Sequence, residues 1–220
     1  MEVSPSDPVW ETQQTYDRIT AEYARQNAAP WGNLVDRVNA LAASLPLGSV
    51  VADVGCGPGR DIALLREKGF RVLGIDLSLG QLRTSGLTGV VQADMSQLPL
   101  RGGSADAIWC HAALLHIPRA VVPAVLAEFA RATRLGGELF LAVAEGDGEG
   151  FELASRYSPD SKRWFTLHRE PDLTALLARA GFAVHQVLRD DGRRAWLSIR
   201  ARRVSATQVA RSGQERPAQR

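Results

Sequence analysis

Val51-Ala52-Asp53-Val54-Gly55-Cys56-Gly57-Pro58-Gly59-Arg60-Asp61 is the stretch on which the architecture of this chain turns. It opens with an apolar run of the kind that forms a short buried strand, stops in glycines, and leads into a helical pattern from Arg60 to Lys68. Glycines at that point let the backbone turn tightly and let a ligand lie against it, and the free N–H groups of a starting helix favour an electronegative group. A nucleotide-type site is indicated. The dinucleotide fingerprint GxGxxG needs a small residue at position 60, where this chain has Arg60, and the third glycine, Gly59, comes one residue early. The loop is GxGxG, which argues against NAD.

A second apolar run, Val72 to Asp76, follows the helical stretch and completes a βαβ unit, hence a parallel sheet with a right-handed crossover. Strand patterns recur at Gly89 to Ala93, Ala105 to Cys110 and Glu138 to Ala144, with a helix from about Arg119 to Thr133. Upstream, Tyr16, Ile19 and Tyr23 share one face of a helix spanning about Trp10 to Gln26, and Leu34 to Leu45 makes a second helix stopped by Pro46 and Gly48. Downstream, Glu145 to His168 reads as irregular. A helix from Pro171 to Ala180 then precedes two strands, Ala183 to Leu188 and Ala195 to Arg202, with Asp190-Asp191-Gly192 as a hairpin turn. The class is α/β, a mostly parallel sheet with an antiparallel end and helices on both faces.

Composition narrows the function. The 220 residues are 45% hydrophobic and 23% charged, which suits one domain with a continuous core. No apolar run approaches the roughly 20 residues of a membrane-spanning helix. Acids near Met1 and the absence of an apolar stretch after them give no secretory signal, and Cys56 and Cys110 are too few for a disulfide framework, so a cytoplasmic address is expected. The net charge of +2 is uneven: residues 200–220 carry +5 and the preceding body −3. A basic face for nucleic acid is therefore not expected, and residues 205–220, which lack apolar periodicity, read as a disordered basic tail.

Asp76 and Asp94 end the second and third strands at the sheet edge where the glycines lie, the place where open α/β sheets bind ligands. Asp76 stands where a carboxylate takes both ribose hydroxyls. Each is also the residue type that caps a following turn or helix.

Taken together, VADVGCGPGRD, GIDLS, QADMSQLPL, ADAIWCHAALLHIP and FARATRLGGELFLAV resemble the successive motifs of class I S-adenosylmethionine-dependent methyltransferases. The resemblance covers about Tyr16 to Arg203 and is strongest to the small-molecule branch that includes ubiquinone and menaquinone methyltransferases. It implies a Rossmann-like seven-stranded sheet with strand seven antiparallel, and one domain over residues 1–204. Residues 1–47 would form a helical lid and residues 145–170 a substrate-side insertion. It further implies S-adenosyl-L-methionine as cofactor: Asp53, Gly55, Cys56, Gly57 and Gly59 beside its methionine part, Asp76 and Leu77 at the ribose, Asp94 and Met95 at the adenine, and Cys110 completing the wall. Tyr16, Tyr23 and Trp164 would face the acceptor. The amine-methylating NPPY-type sequence of base methyltransferases is replaced by Cys110-His111-Ala112-Ala113, and carboxylates for a catechol-type magnesium site are missing after Asp106, so no metal is expected.

Methyl transfer demands mainly alignment and exclusion of water, and a general base only for a hydroxyl acceptor. His111 is the first candidate base, with His116, Glu145 and His168 as others; with no visible acid to orient its ring, His111 reads marginally better as a pocket wall. The expected function is transfer of a methyl group to an O, N, S or C nucleophile of a small molecule. The alternatives are a non-catalytic cofactor-binding module of the same fold, whose damaged glycine loop or missing Asp76 is not seen, and a tRNA-modifying methyltransferase, which the charge balance disfavours. Oligomeric state is not legible.

Overall fold

The computed structural model describes residues 7–30, 33–190 and 194–205. In chain order the elements are α1 (Pro8–Gln26), α2 (Leu34–Ala42), β1 (Val50–Val54), α3 (Arg60–Glu67), β2 (Arg71–Asp76), α4 (Leu79–Ser85), β3 (Val90–Gln92) and β4 (Ala105–His111). A 3-10 turn (Leu114–His116), α5 (Val122–Ala132), β5 (Thr133–Ala144), β6 (Glu149–Leu153), β7 (Lys162–Thr166), α6 (Glu170–Arg179), β8 (Phe182–Asp190) and β9 (Trp196–Arg203) follow. Seven strands form one sheet in the order β3-β2-β1-β4-β5-β9-β8. All neighbours from β3 to β5 run parallel, and β9 is antiparallel to both β5 and β8.

The central strands are apolar along their length because helices cover both faces. Along β4 the faces alternate: Ala107 and Trp109 join the cluster built with Leu34, Val38 and Leu41 of α2 and Ile62 and Leu65 of α3, while Ile108 and Cys110 join Leu126, Phe129, Leu173 and Leu177 of α5 and α6. Trp109 stacks on Phe140 of β5 at 3.9 Å between ring centroids, which locks the two central strands together.

Expectation and structure differ in three places. Residues 145–168 are not irregular: β6 and β7 pair antiparallel as a separate two-stranded sheet, Phe151 opposite Trp164. The strand expected from Glu138 begins at Thr133, where the chain extends directly out of α5 and Ala105 pairs with Thr133. The helix expected from Arg119 begins at Val122, with Pro123 in its first turn, where a missing N–H costs nothing. The turn residues Asp191 and Gly192, the tail 206–220 and residues 1–6, 31 and 32 of the expected lid lie outside the described residues. No described helix is long and apolar enough to cross a membrane.

Candidate active site

The carboxyl ends of β1, β2 and β4 and the inner face of α1 enclose one cavity of about 1070 Å³, mouth included. Its floor is the glycine loop. Gly55, Gly57 and Gly59 have φ of +77°, +53° and +88°, in the left-handed region. At Gly55 a side chain is impossible for a second reason: a Cβ there would lie 2.1 Å from Ala113 Cβ. The loop is fastened to β2, with Gly55 N–H donating to Ile75 O at 2.7 Å and Gly57 N–H to Asp76 Oδ2 at 2.7 Å.

Asp76 fills the capping role weighed for it. Its Oδ1 accepts from Ser78 N–H at 2.8 Å while Oδ2 holds Gly57, and burial raises its carboxyl against the lowering effect of those N–H groups. Each oxygen keeps lone-pair capacity toward the cavity that Asp76 lines. Asp94 likewise caps its own turn, Oδ1 accepting from Ser96 N–H at 2.7 Å, and it lines the cavity with Met95. Asp53 differs. It is 2% exposed, its Oδ2 has no hydrogen-bond partner, and burial together with the nearby Asp61 and Asp76 charges pushes its carboxyl well above the ordinary range. Asp53 is among the residues that line the cavity, and a buried carboxylate oxygen without a donor there suits a cationic ligand group close by.

His111, at the last position of β4, has an acid partner that sequence reading did not find. Asp61, in the first turn of α3, accepts from His111 Nδ1 at 2.7 Å, from Trp109 Nε1 at 2.9 Å and from Arg60 Nε at 2.8 Å. Asp61 can only accept, so this contact assigns the proton to Nδ1; Arg60 Nη2, 3.4 Å from the same nitrogen, is a donor and cannot take it. Burial would raise Asp61, yet His111, Arg60 and Trp109 outweigh it and hold the carboxyl below its usual range. Two neighbouring carboxyls, Asp53 and Asp61, are thus driven in opposite directions. Ala112, the next residue, is the one non-glycine with positive φ (+58°) among the described residues, a strained turn at the cavity wall.

The roof is α1. Asp17 Oδ1 accepts from Ser78 Oγ at 2.6 Å and Gly80 N–H at 2.8 Å, tying α1 to the start of α4. Thr15 Oγ1 donates to Lys162 O at 2.7 Å and Trp164 N–H to Thr12 Oγ1 at 2.9 Å, tying it to β7. Tyr16 and Tyr23 line the cavity. Tyr16 Oη donates to His116 Nε2 (2.8 Å), whose Nδ1–H donates to Trp164 O (2.6 Å). Burial and the Arg163 charge hold His116 down at about 3, so it is neutral and structural.

Three expected site residues are displaced. Cys110 is fully buried on the α5 side of β4, because strand alternation sends His111, not Cys110, toward α3; burial pushes its thiol up to about 12. Gly59 is not among the lining residues but is the left-handed N-cap of α3, where a Cβ would meet Leu87 Cδ1 at 2.3 Å. The Trp164 side chain does not line the cavity either; it donates Nε1–H to Thr166 Oγ1 and meets Phe151 edge-on, and only its backbone reaches His116. Glu145 pairs with Arg189 and His168 is fully buried, so neither outlying base candidate lines the cavity. Among the described residues no group of three or more His, Cys, Asp or Glu is placed to hold a metal ion.

Residues 52–141 match the methyltransferase domain family model. The chain is 30% identical over 147 residues to the tRNA (carboxymethyluridine(34)-5-O)-methyltransferase ALKBH8 of Mus musculus, covering 66% of this chain and 21% of that one. It is 32% identical over 197 residues to the malonyl-acyl-carrier-protein O-methyltransferase of Laribacter hongkongensis, covering 77% and 62%. It therefore spans less than two thirds of either relative. Among solved structures, the Burkholderia thailandensis 1,6-didemethyltoxoflavin-N1-methyltransferase superposes with a TM-score of 0.67 at 22% identity, over 93% of this chain and 94% of that one. Family match in the loop-bearing part and architecture over nearly the whole chain agree: the protein has the class I S-adenosylmethionine-dependent methyltransferase fold, with the methyltransferase domain signature in residues 52–141.

Proposed function

We propose that this protein transfers the methyl group of S-adenosyl-L-methionine to an oxygen of a small acceptor seated between His111 and the α1 roof. One observation carries the reading: Gly55 and Gly57 of the glycine loop, Asp53, Asp76 and Asp94 line a single cavity that also holds His111 and His116. The residues fit the cofactor. Asp53 Oδ2 suits its ammonium, the spare capacity of Asp76 its ribose hydroxyls, and Ala93, Met95 and Leu77 make an apolar slot for its base. When bound, the cofactor supplies an electrophilic methyl on a sulfonium that leaves as a thioether.

What the chain contributes is placement and dryness. Roughly 7 to 11 kcal/mol of barrier reduction is available from alignment. Asp61 fixes the His111 ring, Ala113 presses against Gly55, and α1 closes the cavity from above. Residues 1–47 serve in this reading as the lid and 145–170 as the acceptor-side insertion. Both relatives described above are named O-methyltransferases, of a carboxymethyl and of a malonyl acceptor, which supports oxygen as the atom methylated.

A tRNA nucleoside is the second reading, favoured by the similarity to ALKBH8. The −3 charge of residues 1–199 weighs against it. The full chain incubated with methyl-labelled cofactor and, in parallel, carboxylic acids, phenols, amines and bulk tRNA separates the two. Label in a small-molecule fraction is expected; label confined to tRNA overturns the small-acceptor reading.

A further inference from the structure

The three glycines of the loop differ in what stands where a side chain would. A Cβ at Gly55 would lie 2.1 Å from Ala113 Cβ and one at Gly59 would lie 2.3 Å from Leu87 Cδ1, so protein already fills both places. At Gly57 no atom beyond the adjoining residues comes that close. Its rim is two atoms, Gln81 Oε1 and Tyr23 Cε1, each 4.0 Å from where the Cβ would be. Gly57, Gln81 and Tyr23 all line the cavity, so the space over Gly57 belongs to it. Bare backbone beside unfilled space is what a ligand lying against a glycine needs.

Gln81, on α4, is 1% exposed, and its amide has only one sensible orientation. Nε2 donates to Tyr16 O at 3.1 Å, and a backbone carbonyl only accepts, so the NH2 group faces the α1 roof and Oε1 the loop. Oε1 is buried and has no hydrogen-bond partner. Leaving a buried acceptor unpaired is costly, and native proteins do it rarely. Nothing at the rim repairs it: Tyr23 presents a ring carbon, and the Gly57 N–H is committed to Asp76 Oδ2 at 2.7 Å. The two polar side chains beside Gly57, Gln81 and Asp76, thus offer the space acceptors and no donor. That suits a ligand group bearing N–H or O–H, and it disfavours a phosphate or a carboxylate.

Resting on the methyltransferase reading, we propose that Gln81 is a cofactor-binding residue, its Oε1 accepting a hydrogen bond from an N–H or O–H group of the cofactor lying over Gly57. S-adenosylmethionine has two sources of that chemistry, the ammonium of its methionine part and the hydroxyls of its ribose. S-adenosylhomocysteine shares both, so Gln81 sets affinity for substrate and product cofactor alike and takes no part in moving the methyl group. The bond from Nε2 to Tyr16 O holds the amide in place before the ligand arrives, which lowers the cost of binding.

The test is calorimetry of the full chain, native and Gln81→Met, with four ligands: S-adenosylhomocysteine, its 2′-deoxy and 3′-deoxy analogues, and 5′-methylthioadenosine, which keeps both hydroxyls and lacks the ammonium. Methionine keeps the length of the side chain and removes its acceptor. S-adenosylhomocysteine should bind Gln81→Met about threefold to tenfold more weakly, and the loss should disappear for the analogue that lacks the donor. That analogue is 5′-methylthioadenosine if the ammonium makes the contact and a deoxy analogue if a hydroxyl does. Undiminished affinity for S-adenosylhomocysteine overturns the proposal. So does an equal loss with all four ligands, which would place the effect in the broken tie to Tyr16 O. Should Gln81→Met not fold, carbon-13 NMR of the native chain decides: the Gln81 side-chain carbonyl should move downfield with S-adenosylhomocysteine and not with the analogue lacking the donor, and a stationary signal overturns the proposal. Failure of S-adenosylhomocysteine to bind the native chain is a different result, which sinks the methyltransferase reading and this proposal with it.

Discussion

His111 has a ring fixed by Asp61 and lines the cavity, so its effect on rate separates two chemistries. If the acceptor is a carboxylate, His111 only shapes the wall. His111→Gln should then lower single-turnover methyl transfer by less than about tenfold and leave the form of the pH profile intact. A loss of about 100-fold or more, with an acid limb present only in the native protein, would identify a general base and a hydroxyl acceptor. Asp61→Asn is a poorer probe, because Asp61 also holds Arg60 and Trp109 and breaking a buried pair costs about 3 to 5 kcal/mol of stability. His168 makes a separate prediction. It is fully buried, neither ring nitrogen has a partner, and burial with Arg119 nearby holds it down at about 4. As pH falls from about 6.5 toward 4 the unfolded chain takes up a proton that the native ring refuses, so stability declines over that window and is flat above it. Urea unfolding at pH 7 and pH 5 should show a drop about 2 kcal/mol larger in the native chain than in His168→Leu; equal drops would contradict the assignment.

At the scale of elements, α1 is bound on both sides, to α4 through Asp17 and to β7 through Thr12 and Thr15, so it bridges the cofactor end and the acceptor end of the cavity. Its buried residues are few, Thr12, Thr15, Ile19 and Thr20, and of its apolar residues only Val9 packs against the main sheet's core cluster. Deleting residues 1–28 should therefore leave a folded sheet by circular dichroism while methyl transfer falls severely; undiminished turnover would show that the helix is not a roof. This helix was legible from the three- and four-residue spacing of Tyr16, Ile19 and Tyr23, and the glycine loop from its composition, since both signals are local. The β6–β7 hairpin was not. Each strand is five residues long, Gly150 interrupts the pattern, and the partners Phe151 and Trp164 are thirteen apart with no short turn signal between them. The Asp61–His111 pair was hidden for a related reason: fifty residues separate its members, and only the packing of α3 beside β4 brings them together. Cys110 was misplaced because the motif fixes where β4 ends but not which face each residue takes; alternation from buried Trp109 decides that.

For the molecule as a whole, the account stands on one claim, that the cavity was built around a sulfonium nucleoside and not a dinucleotide. The loop geometry, the acceptor capacity left on Asp76 and the unpartnered oxygen of Asp53 together support that claim. Asp76 also ties Gly57 to Ser78, so its removal disturbs the loop, whereas Asp76→Asn keeps the shape and removes one acceptor and the charge. Isothermal calorimetry of the full chain with S-adenosylmethionine, S-adenosylhomocysteine and NAD tests the claim most directly. The account predicts saturable binding of both sulfur ligands, weakened by roughly 1.5 to 3 kcal/mol in Asp76→Asn, and no heat with NAD. Tight NAD binding with no response to either sulfur ligand would contradict it.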